Sequence, residues 1–227
     1  MHKINNNWYF EPKSGWYQIS PNNLREEYLF KNTIKYNEIP LIFDRINIKW
    51  AKKNAKKYQN KLNFDFSRCN FSEKDILAFN DFIKHFPNIK SLNISFSPKI
   101  TSKGYLNLFE GLKNLLNLSQ IDLSSNNLND EELKNFFKFL DKESKLNTIN
   151  LSYNNLTSNG FTLLCKNISS NRLKIKEINV CGNKINDDGF RAFIEEVKVG
   201  TFNCLNKINF SNNLLGDETI HLFFFFF

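Results

Sequence analysis

No run of about eighteen apolar residues occurs anywhere in the chain, so no segment has the length and hydropathy of a membrane-spanning helix. The opening MHKINNNWYF lacks the apolar run of a secretory leader, and the expectation is an intracellular, cytoplasmic protein. Cysteine and histidine are both sparse. Cys69, Cys165, Cys181 and Cys204 show no C-x-x-C or other metal-ligand spacing, and His2, His85 and His221 are scattered. The thiols therefore read as free, and no metal or cofactor is expected.

What remains is 227 residues with 41% hydrophobic content, enough for one sizeable core or for a repeat array with a small extra domain. Charge divides the chain. Residues 1–60 hold 11 Lys and Arg against 5 Asp and Glu, whereas residues 61–227 hold 20 against 18. The formal +8 thus belongs mostly to the first quarter, and a boundary is expected near residue 60.

Beyond that boundary one pattern returns: LSQIDLSSNNLNDEEL from Leu118, LNTINLSYNNLTSNGF from Leu146, IKEINVCGNKINDDGF from Ile175 and LNKINFSNNLLGDETI from Leu205. Two looser copies precede them, KLNFDFSRCNFSEKDI from Lys61 and IKSLNISFSPKITSKGY from Ile89, the latter with one inserted residue. The second apolar residue of each pair marks the register at Phe66, Ile94, Leu123, Leu151, Val180 and Phe210, with spacings of 28, 29, 28, 29 and 30. Within a unit the paired apolar residues have period two, as in a short strand. The period then becomes helical: Leu133, Phe136, Phe137 and Leu140 fall at i, i+3, i+4 and i+7. The same stripe recurs at Phe161, Leu164, Cys165 and Ile168, and at Phe190, Phe193, Ile194 and Val197. One short strand and one helix cannot bury their apolar faces alone, so the units must stack.

Residues 118–128, 146–156 and 175–185 resemble the LxxLxLxxN/CxL pattern of leucine-rich repeats of the ribonuclease-inhibitor-like class, over about residues 61–227. The resemblance implies an α/β fold: a right-handed horseshoe solenoid of about six repeats, the last incomplete, with parallel strands on the concave face and helices on the convex face. It also implies a protein-protein interaction module rather than an enzyme. Asn126, Asn154, Asn183 and Asn213 sit three residues after each marker, with Cys69 and Ser97 in the equivalent early places. An amide both donates and accepts, so these asparagines are expected to satisfy turn backbone.

Side chains alternating with the buried pairs should face solvent on the concave side. The column between the paired residues is Asp65, Asn93, Asp122, Asn150, Asn179 and Asn209, and the column after them is Ser67, Ser95, Ser124, Ser152, Cys181 and Ser211. Both are small and monotonous. The column before them, Asn63, Ser91, Gln120, Thr148, Glu177 and Lys207, varies, and a scaffold that does not dictate a position leaves it for a partner to set. Next in line stand Arg68, Phe96, Ser125, Tyr153, Gly182 and Asn212, of which Phe96 and Tyr153 are candidate aromatic anchors. The expected partner contacts are therefore Gln120, Thr148, Glu177, Lys207 and Tyr153, with Asn150 and Asn179 in support. No catalytic set is apparent: no histidine falls on this face, Cys181 has no activating base, and Asp65 and Asp122 would lie two repeats apart. The repeats also resemble GTPase activators of the Ran system, but the strongly acidic tail of that family is missing.

Residues 6–29, NNWYFEPKSGWYQISPNNLREEYL, differ in kind and read as a hairpin turning at Pro12 to Gly15, then a short helix entered at Ser20 to Asn23. Further strands are expected around Ile42 and Ile46 to Ile48. The order of Trp8, Trp16 and Glu26 or Glu27 resembles a WWE domain, which implies recognition of ADP-ribose polymer; the alternative is an aromatic cap over the first repeat. Lys49, Lys52, Lys53, Lys56 and Lys57 fall at i, i+3, i+4, i+7 and i+8, a basic stripe suited either to solvent or to an anionic polymer such as nucleic acid. The chain closes on five phenylalanines without a polar capping unit, which reads as a truncated or frame-shifted end.

Overall fold

A computed structural model describes residues 61–140 and 143–226, together with Lys56 and the backbone of four short strands before them. Those four are β1 (Lys3–Ile4), β2 (Trp8–Glu11), β3 (Gly15–Gln18) and β4 (Thr33–Lys35). The first three form an antiparallel sheet in chain order, with β2 and β3 making the hairpin expected from the Pro12 to Gly15 turn signal. The helix expected from Ser20 and the strands expected around Ile42 and Ile46 lie outside the described residues.

From residue 61 the period change in each unit becomes a strand and then a helix. The strands are β5 (Asn63–Asp65), β6 (Ser91–Asn93), β7 (Gln120–Asp122), β8 (Thr148–Asn150), β9 (Glu177–Asn179) and β10 (Lys207–Asn209). The helices are α1 (Glu73–Ile83), α2 (Ser102–Leu112), α3 (Asp130–Phe139), α4 (Ser158–Ser170), α5 (Asp187–Lys198) and α6 (Asp217–Phe226). Spatial order in the sheet equals chain order, every pairing from β5 to β10 is parallel, and β4 adds a further parallel strand beside β5. A parallel neighbour needs a crossover, and here each crossover carries one helix. The result is an open α/β solenoid of the leucine-rich-repeat kind, strands inside the arc and helices outside.

The apolar pattern sets the core. Ile121, Ile149 and Ile178 at the strand centres and Leu123, Leu151 and Val180 just after them are buried, as are Leu133, Phe136, Phe161, Leu164, Phe190 and Phe193 from the facing helix stripes. Leucine and isoleucine fill the middle of the array, and phenylalanine fills its ends. Phe64, Phe66, Phe71, Phe79, Phe82 and Phe86 pack with centroids 5.0–6.4 Å apart, so the first repeat keeps the pattern with larger side chains. Each helix starts at a side chain suited to capping, Ser72, Thr101, Asn129, Thr157 and Asn186 for α1 to α5.

The strands are one step shorter than the alternation predicts. Each ends at the Asp or Asn between the paired apolar residues, although backbone bonds between repeats run on for a few residues, the Leu123 and Ser125 amides donating to the Asn150 and Ser152 carbonyls at 2.9 Å. The serine column expected to face solvent is buried in the middle repeats: Ser95, Ser124, Ser152 and Cys181 are each less than a tenth exposed.

Asparagines bind successive repeats together. Asn154 Nδ2 donates to the carbonyls of Leu123, Leu151 and Ser152 at 2.9–3.3 Å, while its Oδ1 accepts from the amides of Asn126 and Leu128 in the preceding repeat at 3.1 and 2.9 Å. Asn183 repeats this towards Leu151 and Leu156, and Asn213 towards Val180 and Ile185. Asn126 reaches back to the Ile94 carbonyl and the Ser97 amide. Where serine replaces asparagine, at Ser97, the fully buried Oγ has no hydrogen-bond partner.

Asn154→Ala should therefore lower stability by about 1–3 kcal/mol, since it strands buried backbone groups on both sides. Ser97→Ala should leave stability unchanged or raised, because it deletes an unsatisfied hydroxyl. Urea unfolding of the two variants checks both; equal losses would contradict the assigned ladder.

Candidate functional site

Parallel register places Ser91, Gln120, Thr148, Glu177 and Lys207 side by side across five strands, spaced by about 4.8 Å. Together with the Asn and Asp that end each strand they line a shallow groove of about 340 Å³ on the concave face. Six of the seven residues expected to meet a partner, Gln120, Thr148, Asn150, Glu177, Asn179 and Lys207, share this groove. Tyr153 does not line it and stands, 57% exposed, in the turn beyond the strand ends.

Asn150 and Asn179 already have internal work. In every repeat the side-chain oxygen of the strand-ending Asp or Asn accepts the backbone amide two residues on, at 2.9–3.1 Å from Asp65 through to Asn209. The buried serines add a second bond, Ser124 Oγ to Asp122 Oδ1 at 2.6 Å and Ser152 Oγ to Asn150 Oδ1 at 2.8 Å. Asn150 Nδ2 also donates to Asp122 Oδ2 at 2.8 Å. These side chains close the turn that ends the strand, which is why their column is monotonous. The column two residues earlier has no such recurrent bond, and its chemistry runs from Asn63 and Ser91 through Gln120 and Thr148 to the charges of Glu177 and Lys207.

Sequence reasoning missed the conformation of the next column. Arg68, Phe96, Ser125, Tyr153, Gly182 and Asn212 all have φ between 53° and 67°, the left-handed region that favours glycine. The signal was present, since glycine and asparagine occupy two of the six places. Two of the bulky side chains are held in place. The Arg68 guanidinium lies over the Phe96 ring at 5.3 Å from its centroid, and the Tyr153 ring lies so close to Gly182 that a Cβ there would stand 2.5 Å from Tyr153 Cδ1. The Tyr153 hydroxyl and the Cys181 side chain form a hydrogen bond, which raises the phenol above its ordinary pKa, and Asn212 Nδ2 donates to Cys181 Sγ at 3.7 Å.

No group of three His, Cys, Asp or Glu suited to a metal occurs among the described residues, and no helix among them is long and apolar enough to cross a membrane. Burial, with the Asp65 carboxylate second, pushes the Cys69 thiol from 9.0 up to about 12. Burial also pushes Cys165 up, Glu196 adding to the effect. At neutral pH both stay protonated and unreactive. Of the residues expected to bind an anionic polymer, Lys56 is described and exposed; Lys49, Lys52, Lys53, Lys57 and the side chains of Trp8 and Trp16 lie outside the described residues.

No protein-family model matches the chain. It is 21% identical over 158 residues to a protein named Protein phosphatase 1 regulatory subunit 37 homolog, from Caenorhabditis briggsae. The matched stretch is 69% of this chain and 17% of that protein.

Two measurements follow from this geometry. Gly182→Ala should destabilise by about 1–2 kcal/mol through the positive φ, with a further loss from the Tyr153 ring. In a Tyr153→Ala background that further loss should vanish, and an identical cost in both backgrounds would refute the contact. The raised Cys69 pKa makes the folded state hold its proton longer than the unfolded chain does. The resulting stabilisation is complete below pH 9 and drains away towards about 12. Stability measured from pH 8 to 11 should fall, and fall less steeply in Cys69→Ser; equal slopes would contradict the assignment.

Proposed function

We propose that the chain is a non-enzymatic protein-interaction module of the ribonuclease-inhibitor-like class of leucine-rich repeats, which binds a partner protein along the concave groove. The observation that carries this reading is the contrast between neighbouring columns. The strand-ending Asp and Asn are consumed by turn closure in all six repeats, whereas Gln120, Thr148, Glu177 and Lys207 form a half-buried row along the groove whose composition the fold does not dictate. Adjacent groups spaced by about 4.8 Å present hydrogen-bonding and charged side chains as one continuous surface, the geometry that orients a partner and selects against wrong ones. Tyr153, fixed over Gly182 at the lip, supplies an aromatic anchor whose ordering cost is met before binding. Residues 1–60 serve as an accessory part; the parallel pairing of β4 with β5 supports a capping role for it.

The resemblance to a phosphatase regulatory subunit makes protein phosphatase 1 the first partner to test. The full chain, immobilised, is exposed to purified protein phosphatase 1 and to nuclease-treated lysate. Replacement of Gln120, Thr148, Glu177 and Lys207 by alanine should abolish capture while the melting temperature holds, and a helix-face variant such as Lys134→Ala should capture normally. Undiminished capture by the fourfold variant would remove the groove from the binding surface. Capture of another protein without the phosphatase would retain the groove and discard that partner.

A further inference from the structure

Each inner strand of the array is bonded to the strand that follows it by the same set of backbone groups. The amides of Ile94, Leu123, Leu151 and Val180 donate to the carbonyls of Asp122, Asn150, Asn179 and Asn209 at 2.8–3.0 Å. Two residues on, the amides of Phe96, Ser125, Tyr153 and Gly182 donate to Ser124, Ser152, Cys181 and Ser211 at 2.7–3.0 Å. In return the carbonyls of Lys90, Ser119, Asn147 and Lys176 accept from the following strand. In β10 the equivalent groups are the Phe210 and Asn212 amides and the Asn206 carbonyl, and none of them has a backbone partner among the described residues. The outer side of β10 is therefore an open edge with a row of unpaired donors and acceptors.

β3 has the complementary deficit. It stands at one side of the three-stranded sheet and pairs with β2 alone. The strands of that sheet have two, four and four residues, too little to stand without packing against something larger. Its neighbour is β10: Cα atoms of β3 come within 8 Å of those of β10, although no pairing joins the two. Paired strands lie about 4.8 Å apart, so two open edges face each other within a short step of a ladder. The same N-terminal part already adds a strand at the other end of the array, where β4 pairs with β5. The fifteen steps from Gln18 to Thr33 reach up to about 50 Å, and the seven strand intervals from β4 across the array to β3 need about 34 Å. Both ends can be held at once.

We infer that the outer edge of β10 is a strand-addition site that this chain fills with its own β3, and that the N-terminal hairpin thereby shields the edge from pairing with a second copy. The main chain of β3 supplies the acceptors that the Phe210 and Asn212 amides lack and the donor that the Asn206 carbonyl lacks. A second copy offers the same groups, since its own strands carry them, but it must be drawn from solution. β3 is tethered, and a flexible tether holds it near the edge at an effective concentration of about a millimolar, which favours the strand in the same chain.

The test is nuclear magnetic resonance on the full chain with Gln18→Cys and Cys204→Ser, carrying a nitroxide at residue 18. Cys165 and Cys181 are buried and Cys69 stays protonated at neutral pH, so the label goes to residue 18. The Lys207, Ile208 and Asn209 amide signals should lose most of their intensity, while that of Phe64 in β5 keeps it. A mixture of nitroxide-bearing chain and separately isotope-labelled chain should show no loss. Unchanged β10 signals would place β3 elsewhere, and loss in the mixture would assign the edge to a second copy; either overturns the inference. Tyr9→Pro with Tyr17→Pro takes apart the β2–β3 pairing at the Tyr9 and Tyr17 partners. The Phe210 and Asn212 amides should then exchange at least tenfold faster, while the Leu151 amide in the middle of the array keeps its rate. In sedimentation that variant should self-associate more than the parent. Unchanged exchange at β10 would overturn the pairing, and equal self-association would overturn the shielding.

Discussion

The buried turn after each strand has amide groups that no strand or helix of its own repeat can satisfy, and the asparagine of the following repeat reaches back to accept them. That bond directs the stacking. Hydrophobic contact between helices and strands is larger in sum but has no direction, so it does not by itself fix how far one repeat slides along the next. An amide that must meet a carbonyl and an amide of its neighbour at about 3 Å does fix it. Because an unpaired buried amide costs about 1–3 kcal/mol, the position admits few alternatives. The sequence accordingly repeats asparagine four times and falters only at Cys69 and Ser97.

Much of this was legible in the chain. The change from period two to a helical stripe located the strands and helices, and the asparagine spacing predicted a role in satisfying turn backbone that the hydrogen bonds bear out. The serine column was misread: backbone pairing does run on past it, but the serine side chains are buried, with Ser124 and Ser152 donating to the carboxylate or amide oxygen of Asp122 and Asn150. What ends the strand is a backbone amide that donates to the side-chain oxygen of Asp122 or Asn150 two residues before it, followed by a left-handed residue. Neither leaves a hydrophobic trace. The left-handed column holds Arg68, Phe96 and Tyr153 beside Gly182 and Asn212, so the glycine and asparagine signal was diluted. The clustering of six expected contact residues in one groove follows from register alone.

These constraints divide the surface by freedom. Positions that close turns or reach into neighbouring repeats are fixed in type, so the proposed partner contacts fall on what they leave: the strand row from Gln120 to Lys207 and the turn lip with Tyr153. The concave row mixes neutral and charged groups around a shallow floor.

The claim that each repeat is anchored by the asparagine of its successor is tested most directly by residue-resolved amide hydrogen exchange in Asn183→Ala. The Leu156 amide, which donates to Asn183 Oδ1 at 3.0 Å from the preceding repeat, should exchange faster, while the Leu128 amide, held by Asn154, keeps its protection. Uniform loss across all repeats, or loss confined to the repeat that carries the substitution, would contradict the directional ladder.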